Sequence, residues 1–316
     1  MADQQQHTLK NSIGCTGIGL HSGVKVNMTL HPAACDTGIV FHRTDLPADG
    51  GVAARWDRVT DTTLCTTIGD GAGIKVATIE HLMAALAGCG IDNVVVELDG
   101  PEVPIMDGSS APFVFLLDCA GRADQEAPRR AIRVLKPVSI VEPDRSATLL
   151  PSDGFSVAFE IDFDSAAISD TWGFYDLHNG GFRRNICRAR TFGFERDVDR
   201  LVELGFARGG SLDNAVVVGR DDEILNEGGL RYGDEFVRHK ILDTVGDLYL
   251  AGAPLLAHFE GYRSGHQLNN KLLQALFADP SAWEYCYDAA QPVSADAHLL
   301  AVDGARPRRE PLRASA

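Results

Sequence analysis

"GIKVATIEHLMAALAGCGIDNVVVELDGPEVP", residues 73 to 104, places a helix and a buried strand within one short span. Thr78 stands where a side-chain hydroxyl caps a helix, and Glu80 follows in the first turn, beside the positive end of the helix dipole. The apolar run "EHLMAALA" ends at Gly88-Cys89-Gly90, a stop signal because glycine enters the left-handed conformation at little cost. "NVVVELDG", residues 93 to 100, is short, β-branched and apolar, so it reads as a buried strand closing in a turn.

Working outward, "KVNMTLHPA" (25–33) and "GIVFHRTDLP" (38–47) are β-prone runs between turn signals, and "SAPFVFLLDCAG" (110–121) is a second helix. The polar, proline-containing "RADQEAPRR" (122–130) is the candidate domain boundary. A new strand set begins with "AIRVLKPVSIVE" (131–142) and "GFSVAFEIDFD" (154–164). Amphipathic helices follow in "RHKILDTVGDLYL" (238–250) and "GHQLNNKLLQALFAD" (265–279). Strands precede helices in each half, which is an α+β order rather than alternating βαβ. The expected division is a first domain over 1–126, a second over 127–290, and an extension over 291–316. The end of that extension, "GARPRREPLRASA", has no periodicity and reads as a frayed tail. The two halves share an element order but no sequence repeat.

The bulk properties exclude several function classes. With 45% hydrophobic and 23% charged residues, the 316-residue chain is of globular rather than disordered composition. Its formal charge of −15, from 29 basic and 44 acidic residues, opposes general attraction to nucleic acid or an anionic membrane, although a local basic pocket remains permitted. The start, "MADQQQHTLKNSIG", lacks an apolar export segment, and no run of 18 apolar residues occurs, so the expectation is a cytoplasmic protein without membrane insertion. Seven scattered cysteines without C-x-x-C point to reduced thiols, neither a disulfide framework nor a thiolate zinc site.

The helix at 238–250 has two faces. Ile241, Leu242, Val245, Leu248 and Tyr249 share an apolar arc, while His239, Asp243 and Asp247 fall within about 80° of each other on a second. His239 and Asp243, one turn apart, can chelate one cation, and a catalytic zinc site then needs a third protein ligand from elsewhere. The same spacing also describes an ordinary hydrogen-bonded pair on a helix face. Glu80 and His81 diverge by about 100°, so they reach one small object only from two sides, one as ligand and one as base. Alternatively Glu80 only favours its helix N-terminus, and His81 is incidental. His266, in a loop before a helix, is either a surface residue or an acid whose pKa Asp247 raises by pairing with one ring nitrogen.

"TIEHLMAALAGCGIDNVVVELDGPEVPIMDGSSAPFVFLL" (78–117), "RARTFGF" (188–194), "RHKILDTVGDLYL" and "GHQLNNKLL" (265–273), in that order, resemble the UDP-3-O-acyl-N-acetylglucosamine deacetylases, zinc amidases of bacterial lipid A biosynthesis. The resemblance spans about residues 5 to 285. It implies two similar domains, each a β-sheet with helices on one face, packed helix layer to helix layer around a junctional active site. It implies one zinc per chain, with iron(II) as an alternative ion, held by His81, His239 and Asp243. Glu80 would be the general base and His266 the general acid or cationic stabiliser, supported by Asp247. Lys240 would meet the substrate, Thr191 would help hold the oxyanion, and Phe192 would face the sugar. The expected partner is an acylated UDP-sugar, and the expected state a monomer.

In this family an insertion in the second domain shields the acyl chain. The matching stretch here is "FERDVDRLVELGFARGGSLDNAVVV" (194–218), with Val198, Leu201, Val202, Gly210, Ala215 and Val217 as candidate lining, joined by Leu20, Thr63 and Cys65. Each of these reads equally well as ordinary core. Thr63 departs from the larger apolar residue often found there, which bears on chain-length preference. For the nucleotide anion, Lys240, Arg263 and Arg208 are the candidates, and no motif chooses among them. Two other classes fit a histidine and carboxylate beside an apolar passage: a metal-independent hydroxyacyl dehydratase, and a non-catalytic acyl-UDP-sugar binding module.

Overall fold

The structure, a computed structural model, describes residues 5–47 and 51–287. The extension expected at 291–316 lies outside the described residues. In the first half the strands are β1 (Gln5–Leu9), β2 (Ile13–Ile18), β3 (Lys25–Pro32), β4 (Ile39–Arg43), β5 (Val52–Ala53), β6 (Val59–Asp61), β7 (Thr67–Gly69), β8 (Lys75–Val76), β9 (Val94–Leu98) and β10 (Arg122–Pro128). The helices are α1 (Glu80–Cys89) and α2 (Ala111–Ala120). The second half has strands β11 (Ala131–Val134), β12 (Val138–Glu142), β13 (Arg145–Pro151), β14 (Phe155–Glu160), β15 (Trp172–Asp176), β16 (Phe192–Phe194), β17 (Val216–Val218), β18 (Leu255–Tyr262) and β19 (Trp283–Cys286). Its helices are α3 (Gly181–Asn185), α4 (Glu195–Glu203), α5 (Glu235–Tyr249) and α6 (His266–Ala278).

The first sheet runs β2-β3-β9-β4-β5, with β4 and β9 parallel and the other pairs antiparallel. The second runs β12-β13-β18-β11-β19, with β14 pairing both β15 and β18. Both are mixed sheets with helices between them, in agreement with the α+β expectation. One local expectation fails. Thr78 does not cap α1: its backbone stands at φ +55, and its hydroxyl donates to Glu102 Oε1 at 2.8 Å. Residues 122–128, in the stretch read as the candidate domain boundary, form β10 antiparallel to β1, with Leu9 opposite Arg122 and Gln5 opposite Pro128. Ala123, Gln125 and Ala127 are half-buried while their neighbours face solvent, the period-two pattern of a strand.

Why α1 and α5 meet follows from composition. In α1, Leu82, Met83, Ala84, Ala85 and Leu86 are all fully buried, so the helix is apolar all round and belongs inside. In α5 every residue except Arg238 and Lys240 is buried. The two backbones come together at Gly246, where an added Cβ would lie 2.0 Å from the Glu80 carbonyl oxygen. Glycine inside a helix costs about 1 kcal/mol relative to alanine. Here the close approach requires it. Gly88 makes room in the same way on α1, with the Phe182 ring over it.

All seven cysteines are free thiols, and no described helix is long and apolar enough to cross a membrane. Gly246→Ala is expected to destabilise the protein by at least about 2 kcal/mol in urea, the upper range for overpacking. Gly193→Ala, where a Cβ meets nothing within 4 Å, is expected to be near neutral. Equal midpoints for the two variants would contradict the α1–α5 contact.

Candidate active site

At the N-terminal ends of α1 and α6 and along the facing side of α5, seven ionisable side chains gather at the contact between the halves. His81, His239 and Asp243 are all buried, and their ligand atoms lie within 4.8 Å of one another. Asp243 Oδ1 is 3.3 Å from His239 Nε2 and 3.6 Å from His81 Nε2, and the two rings stand edge to face at 5.0 Å. Lys240 Nζ takes the other carboxylate oxygen, Oδ2, at 2.6 Å. Ser110 Oγ donates to the His81 carbonyl at 2.7 Å and anchors its backbone.

His239 Nδ1 lies 3.1 Å from the Ala189 carbonyl, which can only accept, so Nδ1 carries the proton. Burial, outweighing Asp243, lowers the ring's pKa to about 4 and keeps it neutral. Its Nε2 lone pair therefore faces a carboxylate oxygen. Burial would raise Asp243, but its charged surroundings, the Lys240 ammonium on Oδ2 among them, outweigh it and hold Asp243 well below the usual carboxylate range. Two acceptors confronting each other in a buried site are stabilised by a shared cation. His81 Nδ1 is a further buried nitrogen without a hydrogen-bond partner. Two imidazole nitrogens and a carboxylate are a donor set that suits zinc, so the residues present fit such an ion.

Beside this cluster, Glu80 Oε1 faces His266 Nε2 at 3.9 Å. Glu80 Oε2 accepts the Thr66 backbone N–H at 3.1 Å. Burial raises Glu80 above the usual carboxylate range, against the opposing pull of His266 and His81. His266 Nδ1 lies 2.8 Å from Asp247 Oδ2, which also accepts Asn269 Nδ2 at 2.9 Å. Burial alone would lower His266, but Asp247 and Glu80 outweigh it and raise it to about 9.

The remaining candidates are spread around this centre. Thr191 follows Arg190, whose guanidinium and backbone N–H both bind the buried Glu235 at the start of α5, at 2.9 and 3.0 Å. The Phe192 and His239 rings stand edge to face, with centroids 6.2 Å apart. Lys240 and Arg263 line one cleft of about 460 Å³ with Arg145, Phe163 and Ser264, but Glu142, Asp144 and Asp162 line it too, and Arg263 is paired with Asp162 at 3.4 Å. Arg208 is not among its lining residues; it is exposed and packs against Gly23.

Of the acyl-passage candidates, Leu20 and Gly210 are neighbours: a Cβ on Gly210 would lie 3.7 Å from Leu20 Cδ1. Val198 and Val202 on α4 are 39% and 42% exposed, Leu201 is half-buried, and no residue of that helix is buried. Ala215 and Val217 are half-buried. Cys65 is buried, and burial together with the charge of Glu80 pushes its thiol up to about 12. Thr63 is exposed, its N–H held by Asp61, and the structure does not place it with the buried groups.

The sequence pattern of the family described as LpxC, UDP-3-O-acyl N-acetylglycosamine deacetylase, matches residues 6–278. The chain belongs to this family. The UDP-3-O-acyl-N-acetylglucosamine deacetylase of Acidithiobacillus ferrooxidans is 54% identical over 283 residues, 89% of this chain and 92% of that protein. The same-named protein of Hahella chejuensis is 52% identical over 282 residues, 89% and 93% of the two chains. That of Marinobacter nauticus is 52% identical over 295 residues, 92% and 96%. The four motifs that carried the resemblance lie within the matched span of the deacetylase family.

Sequence reasoning passed over Thr66, Asn269 and the Ala189 carbonyl. The paired threonines of "CTTIG" (65–69) and the asparagines of "QLNN" (267–270) were the available signals, being small polar groups inside apolar runs. One measurement follows from the His266–Asp247 pair. Its folded pKa lies above the ordinary 6.5, so its stabilisation is complete below about pH 6.5 and is lost as pH rises through about 9. The urea midpoint is expected to decline across that window, less steeply in Asp247→Asn; an equal decline in both proteins would contradict the pairing.

Proposed function

We propose that the protein is a zinc-dependent amidohydrolase. It removes the N-acetyl group of UDP-3-O-(3-hydroxyacyl)-N-acetylglucosamine in the cytoplasm, releasing acetate and the free amine for lipid A biosynthesis. The family supports the substrate. The observation that carries the metal is the bare His239 Nε2 facing Asp243 Oδ1, with His81 Nε2 beside the same oxygen. A metal-free dehydratase gives no reason for that confrontation.

Amide hydrolysis needs an activated water, stabilisation of the oxyanion, and a proton for the departing amine. A zinc ion held by His81, His239 and Asp243 would lower the pKa of water toward ~7 and polarise the carbonyl. Glu80, made more basic by burial, accepts the proton of the attacking water at Oε1. His266, kept protonated to about pH 9, delivers a proton to the amine nitrogen from Nε2, with Asp247 holding Nδ1. The 3.9 Å between Glu80 Oε1 and His266 Nε2 lets base and acid address one bond from adjacent positions.

Lys240 keeps Asp243 Oδ2 occupied, so Oδ1 alone turns toward the imidazoles. Thr191 contributes its hydroxyl to the oxyanion, and Phe192 covers the sugar beside His239. Lys240 and Arg263 are the cations the diphosphate would meet in their cleft, against the charge of Glu142, Asp144 and Asp162 in the same lining. An acyl chain is worth about 0.8 kcal/mol per buried CH2, and the half-exposed apolar side chains of α4 supply surface for it.

Glu80→Ala is expected to retain about one zinc per chain while kcat falls about 10²- to 10⁴-fold, the usual contribution of a general base. His81→Ala is expected to lose the metal. Acetate release from a defined series of acyl-UDP-N-acetylglucosamines, with metal content measured on the same samples, checks both. Stoichiometric zinc unaffected by changes at His81, His239 and Asp243 would overturn the site.

A further inference from the structure

Thr66 bonds the carboxylates of both Glu80 and Asp247. It is 2% exposed and stands just before β7. Its backbone is tied to the start of α1 on both sides: its N–H donates to Glu80 Oε2 at 3.1 Å, and its carbonyl accepts the Ile79 N–H at 3.4 Å. Its hydroxyl reaches the other half of the chain and donates to Asp247 Oδ1 at 2.6 Å. We infer that Thr66 is a positioning residue that keeps the Glu80 and Asp247 carboxylates in register, and through Asp247 sets the place of the His266 ring. This rests on the roles proposed above for Glu80 and His266.

Each carboxylate has one oxygen held and one oxygen turned to the reaction centre or its support. Thr66 N–H occupies Glu80 Oε2, which leaves Oε1 facing His266. Thr66 Oγ1 occupies Asp247 Oδ1, which leaves Oδ2 for His266 Nδ1 and for Asn269 Nδ2. Asn269 is oriented in turn by Ser264, whose hydroxyl donates to its Oδ1 at 2.9 Å. Asp247 is therefore bonded from three sides, and among the described residues only Thr66 reaches it from the first half of the chain. A short hydrogen bond from a hydroxyl to an ionised carboxylate is among the stronger kinds and is directional. Threonine suits the position because its β-branch leaves few side-chain rotamers, which fixes the hydroxyl direction once the backbone is bonded. Removing the hydroxyl leaves Asp247 Oδ1 buried without this donor and free to turn, and His266 turns with it.

Thr66→Val keeps the shape and the backbone N–H and deletes only the hydroxyl. The expected result is a kcat about 10- to 100-fold lower, the scale for groups that orient site residues. KM should stay within about threefold, with zinc content unchanged, and Thr66→Ser should recover kcat to within about threefold of the parent. In an Asp247→Asn background, Thr66→Val should add less than about a threefold loss, because both changes act on the same link. Losses that multiply, or an unchanged kcat in Thr66→Val, would overturn the proposal.

Imidazole NMR of His266 gives a readout that needs neither substrate nor turnover, so it separates this proposal from the substrate assignment. The His266 midpoint is expected to fall in Thr66→Val and to hold in Thr66→Ser; no movement in either overturns it. Should the valine variant not fold, Thr66→Ala against Thr66→Ser makes the same comparison, since both lack the methyl and only alanine lacks the hydroxyl.

Discussion

The contact of α1 with α5 at Gly246 is the constraint on which the site depends. A Cβ there would stand 2.0 Å from the Glu80 carbonyl, so the two backbones touch with nothing between them. That approach carries His81 onto the same carboxylate oxygen that His239 faces, and it places Glu80 opposite His266. It also brings Thr66, ahead of α1 in sequence, within 2.6 Å of Asp247 on α5. Neither half contains a complete site. The apolar sides of α1 and α5 bind the halves together, and their polar ends acquire a function only in that arrangement.

Burying so many ionisable groups is costly unless each has a partner. Here the compensation is specific. Lys240 answers Asp243 Oδ2, while Oδ1 and the imidazoles are left for a shared cation; His266, Asn269 and Thr66 answer Asp247; the Thr66 N–H and His266 answer Glu80. The same burial separates the protonation states: it lowers His239 to about 4, while two carboxylates raise His266 to about 9. One histidine is thereby suited to offer a lone pair and another to offer a proton, a division that follows from which carboxylate oxygen each ring meets.

How much of this was legible in the sequence follows from the range of each interaction. The pairing of His239 with Asp243 was readable because helical geometry alone sets it, at 3.6 residues per turn. The stop at Gly90 was readable for a similar local reason, and the structure gives that residue φ +67. The joining of His81 to His239 is not readable from spacing, since 157 residues of intervening chain impose no distance, and it came through family resemblance. Thr78 is ambiguous in sequence because a capping residue and a residue at φ +55 look alike until Glu102 takes its hydroxyl. The strand at 122–128 was hidden because its inward residues, Ala123, Gln125 and Ala127, lack the apolar bulk that marks alternation. Thr66 and Asn269 were passed over because their meaning lies wholly in tertiary partners. Arg208 and Arg263 were equivalent in composition, and only the cleft beside Lys240 separates them.

On the proposed function, the two halves together form one metal site that drives amide hydrolysis. The most direct test is to strip the protein of metal and titrate it with zinc while following acetate release from UDP-3-O-(3-hydroxymyristoyl)-N-acetylglucosamine. Activity that rises linearly and breaks at one zinc per chain is the predicted result. Full acetate release from the stripped protein, independent of added zinc, would contradict it.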